Sequence, residues 1–174
     1  MASHLPNNHL LLISKGDAKT IGHLGFGMHV LTVSGLGIDQ LVENATKDRF
    51  KLAQENLRYS RRAMNLPQPM YRVALARAYY AMYHAARTVV FFIERGDDYE
   101  AHLKLPKHIP KDFPNRNQWE NDLKTARLER NRADYDPYPK SDRAFGPVAS
   151  STLLTAESFL PIARGYLVRK GCRI

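Results

Sequence analysis

The chain has 174 residues, of which 44% are hydrophobic and 25% charged, a composition that supports one folded domain with an apolar core. Its 26 Lys and Arg residues against 17 Asp and Glu give a formal net charge of +9 at pH 7, which favours an anionic partner such as nucleic acid. The single cysteine, Cys172, excludes an internal disulfide and a zinc site built from cysteines, and it fits the cytoplasmic location that we expect.

Residues 1–45 differ in composition from the rest, because they are rich in Gly, His, Ser and Leu without a sustained helical period. The segment from Thr20 to Ile38 contains no Asp, Glu, Lys or Arg. Its five glycines and two histidines nevertheless argue against a membrane span, since they weaken a helix and raise the cost of insertion. We therefore predict an irregular N-terminal arm, either a short hairpin or a loosely held segment, and no membrane partner.

From Thr46 onward the pattern predicts helices. Thr46 is a candidate N-cap of the first helix, and Pro67 and Pro69 end that helix after Leu66. The second helix is predicted from Tyr71 to Arg95, with Gly96 as a left-handed C-terminal cap.

The second half of the chain continues the helical pattern after an irregular connection. Three prolines fall between residues 101 and 114, and we expect His102 and His108 at the surface of this connection. A third helix is predicted from Asn115 or Asn117 to a point before Pro137, and a fourth covers residues 148–169. The fold prediction is an all-α, up-and-down helical bundle of four to five helices over residues 46–174, preceded by the arm at residues 1–45.

The second helix carries a polar stripe. Its members are spaced at i, i+3, i+7 and i+10, which places them on one face: Arg77, Tyr80, His84 and Arg87. In one interpretation neighbouring groups satisfy the tyrosine and the histidine while the arginines extend to water. In the other, the stripe faces the end of the third helix and lines a basic groove.

The third helix ends in an unusual polar segment, Arg130 to Tyr135. Arg130 continues an apolar face formed by Trp119, Leu123 and Ala126. Because a guanidinium keeps its charge in a protein, an arginine in this position needs a partner or a ligand. Asp134, four residues later, could supply a structural intrahelical partner, so a structural role and a binding role both stay open.

The segments Ala78–Arg87 (AYYAMYHAAR) and Arg130–Tyr135 (RNRADY) together resemble the HEPN domain family. The similarity covers residues 46–169, and it is strongest to the branch of bacterial and archaeal proteins with an R-x-x-A-D-Y ending. The resemblance implies a helical bundle that forms homodimers. Active family members are metal-independent ribonucleases with an R-x4–6-H motif, often in toxin–antitoxin or antiviral systems beside a nucleotidyltransferase.

The resemblance also implies site residues. Arg130 matches the motif arginine and Asn131 the polar residue behind it, whereas Tyr135 stands where the family has its histidine. A tyrosine with the usual pKa of about 10 is a poor general base near neutral pH. We therefore take Arg130, Asn131 and Tyr135 as the candidate catalytic residues. The candidate nucleic-acid or nucleotide ligands, with no metal or cofactor expected, are Arg77, His84, Arg127, Arg132 and Tyr138.

Three functional hypotheses follow. The first is a protein that binds RNA or a nucleotide in a toxin–antitoxin or defence setting, with weak or no ribonuclease activity. The second is a non-catalytic dimeric module that binds a partner protein, such as a nucleotidyltransferase antitoxin. The third is an active ribonuclease that uses Arg130 with Tyr135 or with a distant histidine, His84, His102 or His108.

Overall fold

The computed structural model describes Ser14 and residues 16–174. These residues contain five α-helices and no strand, which confirms the predicted all-α bundle. Two short 3₁₀ helices, Leu105–His108 and Asp142–Phe145, lie in the connections. The α-helices are α1 Ala18–Ser34, α2 Ile38–Met64, α3 Tyr71–Glu94, α4 Arg116–Tyr135 and α5 Gly146–Arg169.

The chain divides into two compact units, Met1–Leu41 and Val42–Ile174. The first unit contains α1, so the prediction of an irregular arm was wrong for this segment. Asp17 caps the helix by accepting a hydrogen bond from the Thr20 amide at 2.8 Å, and Gly35 ends it with a left-handed φ of 66°. None of the α1 residues is buried. No single described helix is long and apolar enough to cross a membrane, although α1 and α2 meet that test when taken together.

The helix α2 begins eight residues before the predicted N-cap. Its first turn contains Asp39, and the Gln40 side chain accepts a hydrogen bond from the Gly37 amide at 3.1 Å. Thr46 is fully buried within the helix, where its hydroxyl donates to the Val42 carbonyl at 2.7 Å. Thr46 therefore does not cap α2, because its hydroxyl bonds backward to the helix instead of forward to a free amide.

The central helix is α3, which packs against both α4 and α5. Its small residues Ala74, Ala78, Ala81 and Ala85 are fully buried, so neighbouring backbones approach it closely. The predicted cap at Gly96 was wrong by one residue: Arg95 takes the left-handed conformation, with φ of 60°.

The helices α4 and α5 complete the core. Trp119, Leu123 and Ala126 of α4 are buried, as their helical spacing predicts. The Trp119 ring lies 5.0 Å from the ring of Phe159 on α5, and α5 continues through Pro161. The apolar face of α4 thus packs against the bundle. This packing determines the direction in which the polar residues at the end of α4 point.

One end of the bundle is fastened by contacts between the beginning of α3 and the end of α4. The Arg72 guanidinium donates to the carbonyls of Ala133, Asp136 and Pro139 at 2.5, 2.9 and 2.8 Å. Asp142 accepts hydrogen bonds from the amides of Tyr71 and Arg72 at 2.7 and 3.0 Å. Four carbonyl groups at a helix C-terminus lack partners within the helix, and Arg72 supplies donors to this end of α4.

Candidate functional site

A cleft of about 280 Å³ lies where α3, α4 and the connection after α3 meet. Tyr79 reaches it from α3. The connection contributes three consecutive residues, one of them a histidine, and α4 contributes two arginines and an asparagine. The complete lining is Tyr79, Ala101, His102, Leu103, Arg127, Arg130 and Asn131. The cleft therefore gathers two of the three candidate catalytic residues and one of the candidate ligands.

Arg130 is held on three sides. Its side chain is only 16% exposed, and its Nε lies 2.8 Å from Asp134 Oδ2, although the N–H is not aimed at the carboxylate. One terminal nitrogen, Nη2, donates to the Tyr80 hydroxyl, and the other donates to Asn131 Oδ1 at 3.1 Å. The structure thus contains both arrangements that the sequence left open, because Arg130 has its intrahelical partner and also lines the cleft.

Asn131 and Arg127 complete the polar wall that α4 gives to the cleft. The Asn131 side-chain oxygen accepts from Arg130, so its amide nitrogen keeps two donors for another acceptor. Arg127 lines the cleft, and in residues 16–174 no carboxylate lies within ion-pair distance of it. A cation without a partner in a concave polar site favours an anionic ligand.

Tyr135 does not line the cleft, but it lies beside Arg130, which does. Its side chain is 72% exposed, and its ring centre lies 5.5 Å from the Arg130 guanidinium. That distance allows a cation–π contact. The hydroxyl group makes no hydrogen bond within the described residues.

Four of the five candidate ligands do not line the cleft: Arg77, His84, Arg132 and Tyr138. Arg77 donates to Asn56 of α2 at 3.3 Å. The Arg132 guanidinium lies 5.8 Å from the buried ring of Phe145. Tyr138 is 67% exposed in the loop after α4. The sequence placed Arg77 on the α3 stripe and Arg132 and Tyr138 close to Arg130 in the chain, but it did not show which face of the bundle each one would occupy.

The polar stripe on α3 splits into separate contacts. Tyr80 accepts from Arg130 and stacks on His84, with ring centres 6.1 Å apart. Burial, reinforced by the nearby Arg87 charge, lowers the pKa of His84 to about 4, so its imidazole is neutral at physiological pH. Arg87 forms ion pairs with Asp97 and Glu100. Of this stripe, Tyr80 alone contacts Arg130 directly among the described residues.

His102 is the site residue that the sequence underestimated. We expected an ordinary surface position, and the side chain is indeed exposed, but it lines the cleft opposite the α4 arginines. Its Nδ1 lies 2.5 Å from the Tyr79 hydroxyl, and its ring stacks on Tyr83 with 4.1 Å between centres. Burial, Arg130 and Arg127 together lower the pKa of His102.

The geometry of the cleft suits the recognition of a tetrahedral anion. Guanidinium groups bind phosphate oxygens through charge-assisted hydrogen bonds, often two at once. Asn131 and His102 add neutral donors of the kind that commonly accompany them. In the part of the chain that the structure describes, no three His, Cys, Asp or Glu side chains are grouped to hold a metal ion.

Comparison with known proteins identifies the region that contains the cleft. The family model of the HEPN domain matches residues 46–167, a range that includes α3, α4 and the connection between them. No curated protein shows significant similarity to the chain, and no solved structure does.

Proposed function

Because the chain belongs to the HEPN domain family, we propose that it binds RNA or a nucleotide by placing a phosphate group in the cleft. One observation carries this proposal: Arg127, Arg130 and Asn131 line the same small cleft, and Arg127 has no carboxylate partner in residues 16–174. The net charge of +9 adds a general attraction for polyanions. Arg130 and Asn131 would contact phosphate, and Tyr135, which lies beside Arg130, would stack on a base.

The same site favours binding over cleavage. Metal-independent cleavage of RNA needs a base for the 2′-hydroxyl, an acid for the leaving oxygen and a cation for the developing charge. Arg130 suits the last role. Tyr135 occupies the motif position of the base, but its exposed hydroxyl has no described hydrogen-bond partner to accept its proton. We therefore propose weak or absent ribonuclease activity.

The proposed setting follows from family membership alone. It is cytoplasmic, as part of a toxin–antitoxin or defence system, with the protein acting as a homodimer beside a nucleotidyltransferase partner. A co-expression experiment followed by size-exclusion chromatography with light scattering tests both the dimer and the partner. A monomer that does not co-elute with the neighbouring nucleotidyltransferase would remove this setting without affecting the cleft.

A second candidate function is a module that binds a partner protein without using the cleft. It is favoured by the apolar side chains that α1 and the start of α2 expose, including Phe26, Met28, Val33 and Ile38. Under this alternative, a complex with the partner would resist added salt, because apolar contacts are not screened. It would also be insensitive to changes at Arg130.

Anisotropy of a labelled oligoribonucleotide tests the main proposal. We expect Arg127→Ala and Arg130→Ala to weaken binding, each by about 1–2 kcal/mol, or roughly five- to thirtyfold. Arg164→Ala is the matched control, since this arginine lies on α5 outside the cleft and, among the described residues, donates only to the Ile174 carbonyl, at 3.1 Å. Equal affinity in all four proteins would refute the proposal.

A parallel incubation measures cleavage. The protein is mixed with a pool of RNA in the presence of a metal chelator, with Arg130→Ala alongside. We expect the RNA to stay largely intact in both samples. Efficient cleavage by the natural sequence that disappears in Arg130→Ala would instead identify an active ribonuclease and overturn the assignment of a binding role.

A further inference from the structure

The connection after α3 is fastened tightly enough to hold His102 in one place. The Tyr83 hydroxyl donates to the Glu100 carbonyl at 2.5 Å, two residues before the histidine. Asp97, at the beginning of the connection, accepts from Arg87 Nε at 2.8 Å and from Arg49 Nη2 at 2.9 Å. A short segment with both ends bonded to helices presents its side chains with little freedom, as a binding site requires.

The hydrogen bond from Tyr79 determines which proton His102 carries. Tyr79 is buried, and burial raises its pKa above the usual range, so its hydroxyl stays protonated. Within the described residues, His102 Nδ1 is the sole acceptor near that hydroxyl. We assign the hydroxyl as the donor to Nδ1, because the reverse arrangement would leave its proton without a partner among the described residues. A neutral imidazole that accepts at Nδ1 carries its proton on Nε2.

This tautomer decides what His102 can do. Its Nε2–H has no hydrogen-bond partner in residues 16–174, and it belongs to a ring that lines the cleft. The nitrogen offers a donor there and no lone pair, so the neutral imidazole is not placed to act as a general base. The natural partner of such a donor is an anionic oxygen.

We infer that His102 is a third phosphate-binding group of the cleft, and that it takes up a proton when the phosphate binds. This inference rests on the proposed phosphate-binding function and extends it to a residue outside the family motif. The Nε2–H would donate to the same phosphate that Arg127 and Arg130 neutralise. In the imidazolium form Nδ1–H would donate to the Tyr79 hydroxyl, and the hydroxyl proton would turn toward the ligand in the cleft that Tyr79 lines.

Proton uptake follows from the charges around His102. The groups that face it from α3 are three tyrosines, neutral His84 and Arg87, while α4 contributes two further arginines. On its own connection, Asp97 is committed to Arg87 and Arg49, and Glu100 pairs with Arg87. Without a ligand the arginines oppose protonation of His102. A bound phosphate offsets their charge and so favours the imidazolium.

The ligand chemistry is a phosphate ester oxygen, which could come from the backbone of RNA or from a mononucleotide. A 2′-O-methyl oligouridylate without terminal phosphates supplies the first source, since it cannot be cleaved and its charge is constant between about pH 5.5 and 8. Uridine monophosphate supplies the second. Tighter binding of the oligonucleotide identifies the backbone phosphate as the ligand, and tighter binding of the mononucleotide identifies the terminal one.

The test combines affinity with a histidine titration. We expect oligouridylate affinity to rise several-fold from about pH 8 to pH 6. For each unit by which binding raises the pKa of His102, the affinity gains at most about tenfold at low pH. His102→Gln keeps a neutral donor but cannot be protonated, so its affinity should be weaker and nearly independent of pH. His108→Gln is the control, because that ring stacks on Tyr99, 3.5 Å between centres, and should behave as the natural sequence.

An NMR titration keeps the inference testable even if His102→Gln folds poorly. The His102 signal, assigned by its loss in that variant or by sequential assignment, should titrate at higher pH when oligouridylate is bound. An unchanged His102 pKa, together with binding that still depends on Arg130, would overturn the inference and leave the proposed function standing. No binding by the natural sequence would overturn both.

Discussion

Replacing Asp142 by alanine removes the group that caps the central helix. The Asp142 carboxylate accepts from the first two amides of α3, those of Tyr71 and Arg72, at 2.7 and 3.0 Å. These amides have no partner within the helix. The carboxylate also lies at the positive end of the helix dipole, which favours its charge. The substitution therefore removes two hydrogen bonds and one favourable charge in a single step.

The expected loss is near the upper end of the range for a helix cap. Removing a capping side chain costs about 0.5–2 kcal/mol, and a carboxylate that serves two amides should reach about 2 kcal/mol. For a chain of this size that corresponds to a fall of about 4–8 °C in the melting temperature. Asp142→Asn keeps an acceptor oxygen but loses the charge, so we expect about half the effect. Thermal unfolding followed by circular dichroism measures both.

A surface aspartate provides the control for Asp142. Asp48 lies on α2 and pairs with Lys51 at 3.0 Å, but its side chain is 73% exposed. Exposed pairs of this kind contribute little, so Asp48→Ala should melt within about 2 °C of the natural sequence. If Asp142→Ala melts no lower than Asp48→Ala, the capping argument is refuted.

Two further predictions concern stability. The pKa of His84 is about 4 in the folded protein and about 6.5 in the unfolded chain. Between these pH values the unfolded chain binds more protons, so the free energy of unfolding should fall as the pH drops from about 6.5 to 4. After allowance for solvent screening, we expect a loss of about 2 kcal/mol. Denaturant titrations across this pH range measure the loss. In His84→Gln the free energy of unfolding should depend less on pH, and an equal dependence in both proteins would contradict the assignment to His84. Asp97→Ala leaves Arg87 and Arg49 without their shared partner. It should lower the free energy of unfolding by about 1–2 kcal/mol. An unchanged denaturant midpoint would contradict the role of Asp97 in holding the connection after α3.

Local sequence patterns predicted the bundle well where apolar spacing and prolines gave consistent signals. The end of α2 before Pro67 and the buried face of α4 followed from short-range signals. The N-terminal helix α1 did not, because Gly22, Gly25 and Gly27 each lower helix propensity. Apart from the helix's own backbone and the adjacent residues, no heavy atom of the described residues lies within 4 Å of where a Cβ would stand at these glycines, so contacts within that part of the chain do not explain them. Capping by Asp17 and Gly35 was the available signal.

The site was only partly predictable for a different reason. The motif and the helical spacing indicated Arg130 and Asn131, and the stripe on α3 contained Tyr80, which contacts Arg130. His102 lies on an irregular connection, where periodicity carries no information. Its position depends on the contact of its ring with Tyr83 and on a hydrogen bond with Tyr79, 23 residues earlier in the chain. Such contacts are set by tertiary packing, so the sequence pattern could not show them.

The salt dependence of RNA affinity tests the central claim most directly. For single strands the slope of log affinity against log salt changes by about 0.7 for each phosphate that a protein cation neutralises. We expect Arg127→Ala and Arg130→Ala each to reduce the slope by about this amount, whereas Arg164→Ala, outside the cleft, should reduce it by much less. If the cleft variants and the control keep the slope of the natural sequence, the cleft does not bind phosphate and the account is wrong.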